Sequence, residues 1–312
     1  MLMTESLSLT AETEKRQAAQ NSVFAAIFLT SLKIVVGLLT NSLGILAEAA
    51  HSGLDLVAAL VTFFAVRLSD KPADQQHRYG HGKIENISAL IETLLLLITS
   101  VWIIYEALNR LFGAEVEVDA SIWAFLVMGI SIAVDYTRSR MLLRTAKKHN
   151  SQALEADALH FSTDIWSSSV VIAGLIGVSI GRAVPGLAWL GHADAVAAMI
   201  VAFIVIFVSA QMGKRSILAL IDTAPDGLSD QIKQTIDAIP GVTNCHRVRM
   251  RASGPQLFVD VHVFLAGDQS LRSAHDIMLK IEETVKQMVP GADVLVHPDP
   301  YPLKVEEPAS TP

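Results

Sequence analysis

The sequence predicts an α-helical membrane protein: six transmembrane helices followed by a small cytoplasmic α+β domain built from a three-stranded sheet and two helices. Three observations carry this. Of 312 residues, 51% are hydrophobic and 18% charged, whereas a soluble domain carries about a quarter charged residues. Six apolar segments, roughly 20–40, 44–67, 85–111, 120–143, 153–180 and 193–220, are each long enough to span a hydrocarbon core about 30 Å thick, which needs about 20 helical residues. After Thr223-Ala224-Pro225 the apolar runs give way to short mixed elements.

Taken in order, residues 1–19 are polar and of mixed charge, and are expected to form a short cytoplasmic arm; they lack the basic start and apolar run of a signal peptide. Residues 20–222 make the transmembrane domain. Its orientation follows from Lys and Arg in the short connections. Arg67, Lys71, Arg78 and Lys83 join the second and third segments, Arg138, Arg140, Arg144, Lys147 and Lys148 the fourth and fifth, and Lys214 and Arg215 close the sixth. The opposite side has no basic residue at Asn41–Ser42 and carries Glu115, Glu117 and Asp119. Both termini are therefore expected in the cytoplasm, with Trp123 and Trp189 near the outer interface. The expected location is the cell inner membrane.

Residues 223–300 read as the soluble domain: a helix over Leu228–Ile239 stopped by Pro240-Gly241, strands over Val242–Ala252 and Leu257–Leu265, a helix over Ser270–Val289 and a strand over Ala292–His297. In the second strand Leu257, Val259, Val261, Val263 and Leu265 face one way, and Phe258, Asp260, His262 and Phe264 the other. Residues 301–312 are expected to be a disordered tail.

Composition excludes several functions. A net charge of −7 argues against a nucleic-acid partner, and one cysteine, Cys245, rules out an intramolecular disulfide framework or a cysteine-based zinc module. No nucleophile–base pair, phosphate loop or redox motif is present, so the chain is not expected to be an enzyme.

The ten histidines lead to the chemistry. The second segment carries Glu48-Ala-Ala-His51-Ser-Gly-Leu-Asp55, the fifth Asp157-Ala-Leu-His160-Phe-Ser-Thr-Asp164. A spacing of four puts His and Asp on one helix face, one turn apart. Ionisable side chains within a bilayer are costly and mark functional sites. At about 1.5 Å per residue, His51 and Asp164 lie about 19 and 18 Å from the cytoplasmic edge, and Asp55 and His160 about 13 and 12 Å. Two imidazoles and two carboxylates without a thiolate suit a tetrahedral divalent ion, Zn²⁺ first. Glu48 and Asp157, one turn from their histidines, are candidate proton-relaying carboxylates; the alternative is that they cap or pair near helix ends, Asp157 with Lys147 or Lys148. In the second–third loop, Asp74, His77 and His81 could reach one ion, with water completing its shell.

Six membrane segments, HxxxD in the second and fifth, and the small α+β domain together resemble the cation diffusion facilitator family, over about residue 20 to Pro300. The resemblance implies a homodimer that exports divalent metal from the cytosol in exchange for protons, with a metallochaperone-like cytoplasmic domain. It implies zinc as cargo through His51, Asp55, His160 and Asp164. Cadmium or cobalt would be further cargo, and iron(II) and manganese are permitted by ligand type. It implies that Asp74, His77 and His81 form the loop site. It also implies that His246, His262, His275, His297 and Asp299 form a binuclear cytoplasmic site near the dimer contact; Pro298 departs from relatives with a polar side chain there. Lys83 and Asp222 correspond to charges that interlock across the family's dimers; as plain sequence they are surface charges at helix ends. The family's His-rich loop between the fourth and fifth helices is absent, leaving only His149. A zinc-gated channel or metal sensor is the alternative function, and a membrane metallohydrolase a further one.

Overall fold

A two-residue connection, Asn41–Ser42, folds the second helix of the protein back along the first. Asn41 stops the first helix in the left-handed region (φ 51°), and the Ser42 hydroxyl accepts from the Ile45 N–H to start the second. The two helices approach closely at Gly37, where a Cβ would stand 2.8 Å from Leu46 Cδ2. A computed structural model describes residues 2–112, 122–183 and 193–301. Six long helices lead: α1 (Leu2–Thr40), α2 (Leu43–Ser69), α3 (Lys83–Phe112), α4 (Ile122–His149), α5 (Gln152–Ala183) and α6 (Ala193–Leu220). Glu115, Glu117, Asp119 and Trp189 lie outside the described residues, as does the tail beyond Tyr301.

Among the described residues, four stretches are long and apolar enough to cross a membrane: Thr10–Thr40, Glu48–Ser69, Lys83–Asn109 and Met199–Leu220. They fall in α1, α2, α3 and α6. Helix α4 carries Asp135 and Arg138 halfway along, and α5 carries Glu155, Asp157, His160 and Asp164. Large apolar side chains on the outside, such as Phe24, Leu38, Trp102 and Phe207, suit a lipid surroundings.

Two boundaries differ from the sequence expectation. The arm expected over 1–19 is not a separate element, because residues 2–40 form one helix. Its polar stretch is tied down: Lys15 is buried between Asp70 and Glu85, and Glu14 accepts from Lys148 and His149. The basic run Arg138–Lys148 is helical and not a loop; it forms the last turns of α4. Ala18 and Ala19 of α1 pack there against Leu142 and Ala146 of α4, and Ala153, Leu154, Ala158 and Phe161 of α5. Burial of that face outweighs the polar side chains on the opposite one.

The chain divides into two compact units, Met1–Ile217 and Leu218–Pro312. The second holds α7 (Leu228–Asp237), β1 (Asn244–Ser253), β2 (Gln256–Leu265), α8 (Leu271–Met288) and β3 (Asp293–Pro300). The sheet order is β1-β2-β3, with β1 antiparallel and β3 parallel to β2. Both helices lay Ile232, Ile236, Ile281 and Val285 on the sheet face formed by Val259, Val261, Val263, Val294 and Val296. Fully burying each such side chain contributes about 1.5–3 kcal/mol. The opposite sheet face carries the histidines His246, His262 and His297 with Asp260 and Asp299, among the apolar side chains Phe258, Phe264 and Leu295.

Strand β1 contains a β-bulge. Cys245 pairs with Val263 and Arg247 with His262, so His246 is the extra residue. The bulge switches the inward parity of the strand: Cys245 is buried before it, and Val248 and Met250 pack on the core after it. His246 is thereby released from the ladder and turned to the open face.

Candidate metal centres

Helices α2 and α5 bring the two HxxxD patterns together. His160 Nε2 lies 3.2 Å from Asp55 Oδ1 and 3.7 Å from Asp164 Oδ2; His51 Nε2 lies 3.8 Å from Asp164 Oδ1 and 3.9 Å from Asp55 Oδ1. Each histidine thus faces the aspartate of its own helix and that of the other. Tetrahedral ligands about 2.0–2.1 Å from an ion stand roughly 3.3 Å from one another. His51, Asp55 and Asp164 each offer a ligand atom within 4.8 Å of the others. His160 meets Asp164 through the other carboxylate oxygen, so one ion held by all four requires a shift of His160 or Asp164.

Around this tetrad the structure adds residues that the spacing rules did not pick out. Glu92 of α3 is buried; its Oε1 accepts from Thr62 Oγ1 at 2.9 Å, and its Oε2 lies 3.8 Å from His160 Nδ1. The signal was in the sequence, since Glu92 is the only charged residue from Asn86 to Tyr105. Lys33 of α1 donates to Ser52 Oγ at 2.7 Å and lies 3.3 Å from Glu48 Oε2. Glu48 therefore turns to Lys33. Asp157 is fully buried and accepts from Ser22 Oγ at 2.9 Å, and that hydroxyl accepts from Arg138 Nε at 2.7 Å. The Arg138 guanidinium sits 3.2 Å above the Phe161 ring centre. Neither Lys147 nor Lys148 is Asp157's partner here: Lys148 pairs with Glu14 at 2.6 Å. The carboxylate that faces His160 Nδ1 is Glu92, at 3.8 Å.

The α2–α3 loop gathers Asp74, His77 and His81 within ligating reach. Asp74 Oδ1 lies 3.4 Å from His77 Nδ1, and Asp74 Oδ2 3.4 Å from His81 Nε2. The ring centres of the two histidines are 4.5 Å apart. The His77 and Gln76 backbone N–H groups donate to Asp74 Oδ1 at 2.6 and 2.8 Å, and hold its carboxyl below the usual range. His81 Nδ1 lies 3.4 Å from the Lys71 carbonyl. Donation there leaves Nε2 free to accept a metal. Gly80, at φ 75°, makes the turn between the two histidines.

On the open sheet face three histidines surround one carboxylate. Asp299 Oδ2 lies 3.2 Å from His246 Nε2 and 3.3 Å from His262 Nδ1; Asp299 Oδ1 lies 3.4 Å from His297 Nε2. The strand register causes this. His262 pairs with His297, and Phe264 with Asp299, in the parallel ladder. His246, displaced by the bulge, stacks on Phe264 at 4.2 Å. His275 stands apart from this group, exposed on α8. Cys245 points the other way, into the core. Burial and the Asp237 carboxylate push its thiol upward, and Asp237 also accepts from the Cys245 N–H at 2.5 Å. Lys83 begins α3, and Asp222 follows α6 in the left-handed region at φ 62°.

Residues 20–221 match the cation efflux transmembrane domain, and residues 224–301 the cytoplasmic domain of cation efflux proteins. The chain belongs to the cation diffusion facilitator family. A cation-efflux pump FieF of Yersinia enterocolitica is 31% identical over 297 residues, covering 94% of this chain and 95% of that one. The FieF pump of Serratia proteamaculans is 30% identical, over 91% and 92% of the two chains. A solved structure of a putative zinc transporter, CzrB in its zinc form, aligns with 25% of this chain at 24% identity and a TM-score of 0.23. This facilitator is a membrane protein of the cation-exporting kind, with a helical transmembrane domain and a cytoplasmic domain of three strands and helices. Its family is one of transporters.

Proposed function

We propose that the protein exports Zn²⁺ from the cytosol in exchange for protons, as a homodimer in the cell inner membrane with both termini cytoplasmic. All six long helices, α4 and α5 included, span the bilayer in this reading, and residues 223–300 form the cytoplasmic domain. The observation that carries the proposal is the crossed arrangement of His51, Asp55, His160 and Asp164, with each imidazole 3.2–3.9 Å from both carboxylates. Two nitrogen and two oxygen donors suit zinc. Four protein ligands leave no open position for a hydrolytic water, which speaks against a metallohydrolase. Imidazole titrates near pH 6.5, so a histidine ligand must release its proton to bind metal close to neutral pH. If the site opens alternately to the two sides, metal and protons exchange across the membrane.

Asp74, His77 and His81 form a weaker, exchangeable site in this reading. His246, His262, His297 and Asp299 form the cytoplasmic regulatory site, with His275 completed across the dimer. Lys83 and Asp222 interlock between protomers. Cadmium, cobalt, iron(II) and manganese are secondary cargo.

Purified protein in sealed vesicles tests the proposal. Zinc uptake should follow an imposed pH gradient and collapse with it. Uptake indifferent to the gradient would mean a channel. Zinc binding without uptake would mean a sensor.

A further inference from the structure

We propose that Glu92 is a positioning residue for His160: it accepts a hydrogen bond from Nδ1–H and so turns the Nε2 lone pair to the transported cation. This rests on the reading of His51, Asp55, His160 and Asp164 as the transport site. Nothing in the HxxxD patterns points to α3, yet α3 supplies this group.

The two ring nitrogens of His160 face different neighbours. Nε2 looks into the tetrad, 3.2 Å from Asp55 and 3.7 Å from Asp164. Nδ1 looks away from it, toward Glu92 Oε2 at 3.8 Å. That separation is longer than a hydrogen bond. Both atoms are buried, and neither has another hydrogen-bond partner. Buried polar atoms left unpaired are costly. Two of them pointing at each other across a gap of under 1 Å beyond bonding distance are a pair waiting to close. A cation taking Nε2 requires the ring proton on Nδ1, and Glu92 Oε2 is the acceptor facing it. Glu92 is itself held, because its other oxygen accepts from Thr62 Oγ1 of α2 at 2.9 Å. The carboxylate is thus fixed on one side and open on the side of His160. Carboxylate, histidine and metal in line is an arrangement that fixes tautomer and ring orientation, and its loss weakens metal binding about 10- to 100-fold.

Glu92 as packing or as charge alone would behave differently from Glu92 as acceptor. The test uses the full-length protein in detergent, with the loop and cytoplasmic sites disabled by His77→Ala and Asp299→Ala, and Co²⁺ as probe. Visible absorption reports tetrahedral cobalt. Glu92→Leu fills the space without an acceptor and should weaken Co²⁺ binding about 10- to 100-fold. Glu92→Gln keeps an acceptor oxygen and should retain most of the parent affinity. If Glu92→Leu does not fold, Glu92→Ala replaces it. Parent affinity in the Leu variant, or equal loss in Leu and Gln, overturns the proposal. Asp55→Ala, measured alongside, separates the two levels. A tetrahedral signal that survives Asp55→Ala removes the transport-site reading, and the role of Glu92 with it. A signal lost in Asp55→Ala but untouched by Glu92→Leu overturns the role of Glu92 alone.

Discussion

His160 Nε2 lies 3.2 Å from Asp55 Oδ1, the shortest link in the tetrad and one that joins α5 to α2. Asp164 Oδ1 closes the other diagonal, 3.8 Å from His51 Nε2. Removing either aspartate therefore takes away a contact between the helices as well as a ligand. Even altering a residue that merely orients a ligand costs about 10–100-fold in affinity. Asp55→Ala and Asp164→Ala should each weaken zinc binding at the tetrad by at least about 100-fold on that scale, and reduce pH-driven zinc uptake to the vesicle background. Size-exclusion profiles should match the parent's. Retained flux in either variant would exclude the tetrad as the transport site.

His51→Asp should keep transport but widen the range of metals carried. Its imidazole offers one nitrogen in a fixed direction. A carboxylate binds through one oxygen or two and tolerates larger ions. Competition uptake with cadmium and zinc measures this. A cadmium-to-zinc ratio equal to the parent's would contradict the selectivity argument.

Most of this architecture was legible in one sequence, and the gaps have physical causes. Hydropathy located α1, α2, α3 and α6, because lipid demands continuous apolar runs. For α4 and α5 the expectation of six equally apolar spans goes further than the described residues do, since charged side chains interrupt both. Hydropathy stopped short at the ends of α1 and α4, where one polar face is exposed and the other packs between helices. The HxxxD repeats announced the tetrad because i and i+4 share a helix face. Asp74, His77 and His81 were readable for a similar reason, since they are close along the chain. The cytoplasmic cluster was not readable from spacing, because His246, His262 and His297 come from three strands and meet only through pairing register. A trace of the bulge was present: Cys245 and Met250, both buried, have opposite parity in one strand. Glu92 was overlooked because its partner lies on another helix, although a lone carboxylate in an apolar helix is a signal in itself.

Asp299 is the hub of the cytoplasmic cluster, with His246, His262 and His297 all within 3.4 Å of its oxygens. Asp299→Ala should weaken zinc binding to this domain more than His297→Ala does, since one change unties three imidazoles. Transport by the tetrad should survive in both variants if the cluster regulates and does not conduct. Zinc titration of the full parent chain, followed by scattering, should show a compaction that Asp299→Ala abolishes. A titration identical to the parent's would contradict this role.

Cys245 should be a poor nucleophile in the folded protein. Its thiol is pushed up by burial and by the Asp237 carboxylate. A raised value keeps the neutral form to higher pH, and the thiolate is the reactive species. Native alkylation by iodoacetamide should therefore be slow at neutral pH and remain slow as pH passes about 8.5, where an ordinary cysteine ionises. Denatured protein should react at the ordinary rate. Equal rates in the two states would show that the thiol is neither shielded nor shifted.

Asp157 and Glu48 began as equivalent neighbours of the two histidines, and their surroundings make them unequal. Glu48 is half exposed, and Lys33 lies 3.3 Å from it. Asp157 is fully buried, accepting from Ser22, which in turn accepts from Arg138; its Oδ1 has no hydrogen-bond partner. A carboxylate kept inside a membrane domain is costly, and an unpartnered oxygen on it adds to the cost. Proton transfer to and from the site is the role we propose for it. Asp157→Asn is isosteric and still accepts from Ser22, and Asp135, 3.9 Å from Arg138 Nη1, remains to face the guanidinium. The variant should fold and bind zinc with near-parent affinity, while the pH dependence of uptake shifts. Glu48→Gln should leave that dependence where it was, because the altered charge faces Lys33. Uptake measured across a series of internal and external pH values distinguishes them. A profile for Asp157→Asn superimposable on the parent's would sink the proton role and leave Asp157 as a structural partner of Ser22.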